Sequence, residues 1–309
     1  MNTTFSGFTG VIPAQITPCI KQGVPDPEGM LKLSRILVNH GCHGLFVLGS
    51  TGGLPLLDDD QRSELIAAAR EGAGTDTTLY AGITGCGAKQ AIRYAHAAEQ
   101  NGADVGVVMV PFFLKITQEG GIDYIRQIAD ASPIPIGIYN HLRMPTFLNG
   151  DSLKQLADHP NIVAIKDTDT DLKNSMNRLH RVSDSSVSFF QGREPYLYES
   201  FLAGADGSVT ALANIAPELH RELFDSVRNR KYDEAKVCQG KIDSLSRIFQ
   251  LEETKTSFAA FTYSLRKVLE IRGWINNTYG LMPGFNPNEG YNQKIHEIVD
   301  EAGLLSNPE

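Results

Sequence analysis

The amino-acid sequence predicts an α/β fold, a (β/α)8 barrel (TIM barrel) with a C-terminal helical appendage. Eight short apolar segments recur within residues 8–216. Segments this short and apolar are typical of strands buried on both faces of a parallel sheet. Amphipathic segments lie between them, and strand–helix alternation over eight units is the pattern of a closed barrel.

The predicted strands are residues 10–16 (GVIPAQI), 44–48 (GLFVL), 78–83 (TLYAGI), 104–110 (DVGVVMV), 134–139 (IPIGIY), 162–165 (IVAI), 187–190 (VSFF) and 207–210 (GSVT). The predicted helices between them include residues 58–71, 89–101, 120–131 and 169–184. An open, doubly wound sheet is the competing architecture. It usually has a glycine-rich turn after its first strand, whereas here that strand is followed by TPCIKQG.

The strand pattern stops at Pro217. The predicted helices beyond it are residues 218–230, 232–251, 255–271 and 291–303. No Ser/Gly-rich linker precedes them. The sequence therefore predicts a catalytic barrel over residues 8–216 and a helical region over residues 217–309 that packs on it.

Composition excludes several classes of protein. The chain has 309 residues, 41% of them hydrophobic, and a formal net charge of −8. A core of this size excludes a disordered chain, and the acidic balance argues against general nucleic-acid binding. We also expect no membrane span, because no stretch has about 18 uncharged apolar residues. The four cysteines form no C-x-x-C pair, and no secretory signal starts the chain, so we expect a reducing cytoplasm.

Function in a (β/α)8 barrel lies at the carboxyl ends of the strands, and Lys166 follows the apolar strand IVAI there. A lysine is rarely buried without a partner or a function. Burial lowers the pKa of an amine, and a neutral amine attacks a ketone to form a Schiff base. The alternative is a strand-end lysine that reaches solvent or pairs with Asp167 or Asp169.

Two further strand ends carry polar groups. The loop GSTGG contains Ser50 and Thr51, and its successive N–H groups suit a carboxylate, although an ordinary tight turn has the same composition. Tyr139 closes the fifth predicted strand, where a phenol could transfer a proton or simply pack in the core. An amine, an anion-binding loop and a phenol at one end of a barrel predict a Schiff-base site for an α-keto acid.

Charged residues near two more strand ends complete the candidate set. Arg143 lies just past the fifth strand, and Gly192, Arg193 and Glu194 follow the seventh. An arginine suits a second carboxylate or a hydroxylated substrate, with surface ion pairing as the alternative. The histidines include no H-E-x-x-H motif, so we expect no metal site.

The chain resembles the pyruvate-dependent class I aldolases typified by dihydrodipicolinate synthase and N-acetylneuraminate lyase. The motifs that carry the resemblance occur in order over nearly the whole length: GVIPAQITP, GLFVLGSTG, VPFF, YN, IKDT and GADGSVTALANIAP. The resemblance implies a Schiff base on Lys166, proton transfer by Tyr139 and carboxylate binding by Ser50 and Thr51. It also implies that residues 192–194 face the rest of the substrate, that the protein is a homotetramer, and that no cofactor is needed.

Two departures from the family pattern bear on the substrate. The first motif usually ends in glutamate, where this chain has Gly53, and the fourth-strand motif usually carries a second tyrosine, where this chain has Phe112 and Phe113. The hydroxyl relay of the synthases is therefore broken. Ser50-Thr51 and IKDT look more like the sugar-acid aldolases of the family, such as 2-keto-3-deoxygluconate aldolase.

The sequence thus predicts a carbon–carbon lyase acting on pyruvate and an aldehyde, with 2-keto-3-deoxy sugar acids as the substrates of cleavage. Three alternatives remain open. The chain could condense pyruvate with aspartate semialdehyde as a dihydrodipicolinate synthase, or dehydrate a sugar acid through the same imine. It could also be a non-catalytic, ketoacid-binding regulatory barrel.

Overall fold

The computed structural model describes residues 8–304, except the side chain of Thr256, and contains one closed barrel. Its eight parallel strands are β1 (Gly10–Pro13), β2 (Gly44–Val47), β3 (Thr78–Gly82), β4 (Val105–Val108), β5 (Ile136–His141), β6 (Ile162–Thr168), β7 (Ser188–Gln191) and β8 (Gly207–Thr210). From β2 to β8 each strand pairs with the next along the chain, and β8 pairs with β1. A bridge between Ala14 and Phe46 joins β1 to β2 and closes the ring. The predicted (β/α)8 barrel is confirmed.

Twelve α-helices occur in the described part of the chain. They are α1 (Pro27–Asn39), α2 (Asp59–Ala73), α3 (Ala88–Gln100), α4 (Gln118–Ala131), α5 (Gly150–Ala157), α6 (Leu172–Val182), α7 (Leu197–Leu202), α8 (Pro217–Arg228), α9 (Tyr232–Ser246), α10 (Glu252–Thr256), α11 (Phe258–Ile271) and α12 (Glu289–Glu301). None of them is long and apolar enough to cross a bilayer.

Side-chain alternation along the strands divides the apolar interior in two. One cluster fills the barrel itself and includes Phe46, Tyr80, Tyr139 and Phe190. The larger cluster lies between the strands and the surrounding helices. Because successive strand residues point to opposite faces, every second strand residue joins the inner cluster.

Local signals explain where the helices begin. Asp58 caps α2 and forms a capping box with Gln61, and Asp171 caps α6 through the N–H of Asn174. The sequence pattern for the sixth helix began at residue 169, but residues 169–171 precede the helix, and the last of them is its cap. An antiparallel hairpin formed by Cys19–Lys21 and Val24–Pro25 was not predicted, because its strands are too short to show a period.

The helices after β8 pack on the barrel. Helix α8 lies against β1, and α12 contacts both α9 and α11. The predicted helix at residues 255–271 is divided at Ser257, whose extended backbone caps α11 and ends α10. The segment between α9 and α11 lies over the carboxyl ends of the strands, where it reaches the cavity described below. The domain boundary at residue 216 stays a prediction.

Candidate active site

Lys166 lies on the inner face of β6, near the mouth of the barrel. Ala164, two residues earlier, belongs to the inner apolar cluster, so the period of two places Lys166 on the same face. The side chain is 8% exposed, and its Nζ lies 5.2 Å from the ring centroid of Phe46. The structure therefore excludes the alternative in which the side chain of Lys166 reaches bulk solvent.

The neighbouring carboxylates have another partner. Asp167 points away from the barrel interior and forms a bidentate ion pair with Arg178 of α6, with N–O distances of 2.9 and 3.0 Å. Asp169 pairs with the same guanidinium. Within residues 8–304, Lys166 has no carboxylate at ion-pair distance. The amine therefore faces the barrel interior without a counter-ion.

Tyr139 lies beside this amine because of strand register. In the β5–β6 pairing Tyr139 is opposite Lys166, and Nζ of the lysine lies 4.0 Å from the centroid of the phenol ring. The phenol oxygen is 3.3 Å from Oγ of Ser50, at hydrogen-bond distance. Two strands and the loop after β2 thus bring an amine, a phenol and a hydroxyl together.

The loop after β2 is shaped by its backbone. Leu48 has φ +54°, a left-handed conformation that costs a bulky residue on the order of 1 kcal/mol and turns the chain sharply at the strand end. The turn is closed by hydrogen bonds from Gly53 N to Ser50 O and from Leu54 N to Gly49 O. In the described structure no acceptor is bonded to the N–H groups of Ser50 and Thr51. These donors fit a carboxylate.

Residues 192–194 have different surroundings. The side chain of Glu194 bonds to the chain after β8, where Oε1 accepts N–H bonds from Ala211 at 3.0 Å and Leu212 at 3.2 Å. A Cβ on Gly192 would lie 2.1 Å from Oγ1 of Thr168, so only glycine fits there. The half-buried Arg193 forms no ion pair within residues 8–304.

His141 lines the cavity, although the sequence had assigned it no role beyond its place at the end of the fifth strand. It lies two residues after Tyr139 on the same strand, and the two ring centroids are 5.3 Å apart. Burial and the positive charges of Lys166, Arg143 and Arg193 lower the pKa of His141 to about 3. Nδ1 accepts the Arg143 N–H at 3.0 Å, which leaves the proton of the neutral ring on Nε2.

One cavity of about 330 Å³ collects the candidate residues at the barrel mouth. All eight predicted site residues line it, namely Ser50, Thr51, Tyr139, Arg143, Lys166, Gly192, Arg193 and Glu194. Its wall also contains residues that the sequence did not indicate, among them His141, Thr168, Thr170, Phe249, Lys255, Phe258 and Phe261. The last four come from the helical appendage. The volume suits a small ligand.

Comparison with known proteins assigns this arrangement to a family. Residues 7–302 match the model of the dihydrodipicolinate synthetase family. The chain belongs to that family. It is therefore a lyase-type enzyme of the aldolase and synthase group, and the prediction of family, fold and enzyme class is confirmed.

Two relatives and one solved structure illustrate the breadth of the dihydrodipicolinate synthetase family. A protein of Escherichia coli K12, YagE, provisionally named a 2-dehydro-3-deoxy-D-gluconate aldolase, is 31% identical over 96% of this chain and 98% of its own. The 4-hydroxy-tetrahydrodipicolinate synthase 1 of Streptomyces coelicolor is 33% identical over 69% of each chain. The crystal structure of YagE in complex with pyruvate superposes with a TM-score of 0.89 at 26% identity, covering 96% of this chain and 99% of that one.

The structure gives physical reasons for one departure from the family pattern. Gly53 has φ +73°, where a glutamate would be strained, and a Cβ there would lie 2.8 Å from Cδ1 of Leu281. The other departure is Phe113, whose side chain is 84% exposed. The next residue, Leu114, is 65% exposed, and neither side chain lines the cavity. Phe112 borders a separate groove of about 590 Å³ formed with α2 and α3. That larger groove lies away from the strand-end amine.

Metal ligands are absent from the described part of the chain. No group of three or more His, Cys, Asp or Glu side chains in residues 8–304 could hold a metal ion. The chemistry proposed below uses the side chains of the cavity alone.

Proposed function

We propose that this protein is a class I aldolase that cleaves a 2-keto-3-deoxy sugar acid to pyruvate and an aldehyde through a Schiff base on Lys166. The observation that carries the proposal is a buried amine on the inner face of β6, beside Tyr139 and without a carboxylate partner. Membership in the family and the similarity to YagE support it.

The proposed reaction begins with attack of Nζ on the C2 carbonyl of the substrate. Water leaves, and a protonated imine joins Lys166 to C2. In that step the phenol of Tyr139 donates its proton to the departing hydroxyl and becomes a phenolate. The phenolate then accepts the proton of the C4 hydroxyl, the C3–C4 bond breaks, and its electron pair moves into the imine to form an enamine. The aldehyde departs. Protonation of C3 and hydrolysis of the imine then release pyruvate and restore the amine.

Binding of the carboxylate fixes which bond breaks. The free N–H groups of Ser50 and Thr51 are proposed to hold the C1 carboxylate, with the Ser50 hydroxyl also in contact with Tyr139. With C1 fixed and C2 bound to Lys166, the position of C4 relative to the phenol is determined. Positioning of this kind is a major part of enzymatic rate enhancement.

Reductive trapping tests the proposal. Pyruvate and borohydride should add one reduced pyruvyl group to the peptide that contains Lys166. Lys255, the other lysine that lines the cavity, is an internal control because it is exposed and pairs with Glu252 at 3.3 Å. Lys166→Met should abolish labelling and Lys255→Met should preserve it. An unlabelled Lys166 in the folded wild-type protein would exclude the mechanism and favour a non-catalytic ketoacid-binding barrel.

A second candidate activity is condensation of pyruvate with aspartate semialdehyde. The similarity to the Streptomyces coelicolor synthase favours it, and the absence of a second tyrosine at residues 112–113 favours the sugar-acid aldolase. Both reactions, and dehydration of a sugar acid, use the same imine. Assays with the semialdehyde and with a panel of 2-keto-3-deoxy sugar acids, each followed by product mass, separate the three.

We also propose that the protein is a cytoplasmic homotetramer. The support for assembly is the pair of exposed apolar side chains Phe113 and Leu114, which a monomer would leave in water. The support for a reducing compartment is that all four cysteines are free thiols, three of them buried.

A further inference from the structure

The polar groups of the substrate cavity have an unbalanced charge. The lining residues Lys166, Arg143 and Arg193 are cationic and have no carboxylate at ion-pair distance within residues 8–304. Lys255 also lines the cavity but pairs with Glu252. Glu194 is the one carboxylate among the lining residues, and backbone N–H groups already occupy it. The cavity therefore presents more positive than negative charge.

The proposed chemistry balances only part of this charge. One carboxylate, at C1 of the keto acid, compensates the protonated imine on Lys166. The two positive charges of Arg143 and Arg193 are then balanced only by the single negative charge of Glu194. An aldehyde half that ended in a neutral hydroxyl would leave one of these guanidinium groups desolvated without an anion, which is unfavourable in a half-closed cavity.

Arg193 is better placed than Arg143 to meet a second anion. Arg143 is exposed at the rim, whereas Arg193 is half-buried and its Nε is shielded from solvent without a hydrogen-bond partner in the described structure. Its backbone is fixed, because its N–H donates to Oε1 of the buried Gln191 at 3.0 Å. Arg178 offers a contrast, since two carboxylates neutralise it outside the cavity.

His141 adds an uncharged donor to the same wall. Its Nδ1 is occupied by the Arg143 N–H, so the neutral ring has a proton on Nε2. Burial and the surrounding cations lower the pKa of His141 to about 3, so the ring stays neutral over the physiological range. A neutral N–H next to a guanidinium is a combination that suits an anionic oxygen with several lone pairs.

We propose that the cavity selects substrates whose aldehyde half ends in a second acidic group, a carboxylate or a phosphate, and that Arg193 with His141 forms the subsite for it. This inference rests on the proposed aldolase function and narrows its substrate class. The substrates would be 2-keto-3-deoxy sugar diacids or phosphorylated 2-keto-3-deoxy sugar acids.

Three substrates of equal chain length and configuration test the proposal, with a terminal hydroxymethyl, carboxylate or phosphate group. The wild-type kcat/KM should be at least about tenfold higher for one of the acidic substrates than for the neutral one. The identity of the preferred acid distinguishes carboxylate from phosphate. A wild-type enzyme that prefers the hydroxymethyl substrate would overturn the proposal.

Variants assign the preference to the subsite. Arg193→Gln should lower kcat/KM for the preferred acid about tenfold more than it lowers kcat/KM for the neutral substrate, while Arg193→Lys retains part of the preference. Arg126→Gln is the matched control, because Arg126 is a half-buried arginine that bonds Gln155 O outside the cavity. An equal loss on all substrates would show a merely structural role for Arg193. Thermal unfolding and pyruvate trapping establish that each variant is folded.

A binding measurement keeps this proposal separate from the aldolase proposal. Glucarate and gluconate have no keto group, differ in one terminal carboxylate and need no Schiff base. Calorimetry should find glucarate bound about tenfold more tightly by the wild type, with the difference lost in Arg193→Gln. Equal affinities would contradict the acidic subsite whether or not Lys166 is trapped by borohydride, and an unlabelled Lys166 would contradict only the aldolase mechanism.

Discussion

Two side chains on adjacent strands, Lys166 and Tyr139, carry the proposed chemistry of this barrel. Lys166 and Tyr139 were predictable from the sequence, because each is a polar group that follows an apolar strand. His141 was placed at the end of the fifth strand but given no role, because the apolar pattern ends at Tyr139, whereas β5 continues to His141 through pairing with β6 up to Thr168. Pairing with a strand distant in sequence leaves no local pattern, so the sequence could not predict that the side chain of His141 points into the cavity.

Replacement of Tyr139 by phenylalanine tests proton transfer at the residue scale. The ring would keep its packing against Phe46 and its position beside Lys166, so folding and pyruvate trapping should be preserved. The kcat for cleavage should fall by on the order of 10² to 10⁴, the usual contribution of a general base. Steady-state kinetics gives the loss in kcat for cleavage, and the rate of pyruvate trapping shows whether Schiff-base formation is preserved. A variant with wild-type kcat would remove the phenol from the mechanism.

The buried histidines predict how stability depends on pH. Burial lowers the pKa of His43, His141 and His220 below the value near 6.5 of an unfolded chain. Below pH 6.5 the unfolded chain therefore binds protons that the folded protein does not, and the free energy of unfolding falls as the pH decreases. For His141, with a folded pKa of about 3, this loss reaches about 2 kcal/mol at pH 5.

Urea unfolding at pH 7 and pH 5 measures this dependence. In the wild type, stability should be lower at pH 5, and His141→Gln should reduce the difference between the two pH values. The charged side chains that face His141 are Lys166, Arg143 and Arg193. The same difference in wild type and variant would show that His141 does not contribute.

At the scale of elements, β6 and α6 form the support of the amine. The inner face of β6 carries Lys166, and its outer face carries Asp167, which is fully buried and bonded to Arg178, Ser175 and Asn140. The sequence raised an ion pair between Lys166 and Asp167 as an alternative. Strand alternation excludes it, because adjacent residues point to opposite faces.

Arg178→Met tests this support. It would leave Asp167 and Asp169 buried without their cation, so the free energy of unfolding should fall by about 3 to 5 kcal/mol. Arg181→Met is a matched control on the same helix, because Arg181 pairs with Asp151 on the surface and should cost less than about 1 kcal/mol. Chemical unfolding measures both. Similar losses for the two variants would contradict a supporting role specific to Arg178.

At the scale of the whole molecule, the appendage completes the cavity. The order of strands and helices was predictable because hydrophobic periodicity is local. The contribution of Phe249, Lys255 and Phe258 to the cavity wall was not, because it depends on how α10 and α11 pack over strand ends far away in sequence. The fold class could thus be derived from the sequence, while the part of the cavity wall that the appendage supplies required the tertiary structure.

The exposed pair Phe113 and Leu114 predicts assembly. Phe113→Asp should leave the subunit folded, because the side chain is 84% exposed, and should shift the protein from a tetramer to a smaller species. Val237→Asp is the matched control, at a 59% exposed apolar side chain on α9, and should remain tetrameric. Sedimentation velocity measures the outcome. An unchanged tetramer in the Phe113 variant would place the interface elsewhere.

The central claim is that Lys166 forms a Schiff base with a keto acid held by the loop after β2. A crystal structure after a pyruvate soak tests it most directly. The account predicts continuous density from Nζ of Lys166 to C2 of pyruvate, with the carboxylate on the N–H groups of Ser50 and Thr51 and the phenol of Tyr139 nearby. Pyruvate bound without a bond to Lys166, or bonded to another lysine, would contradict it.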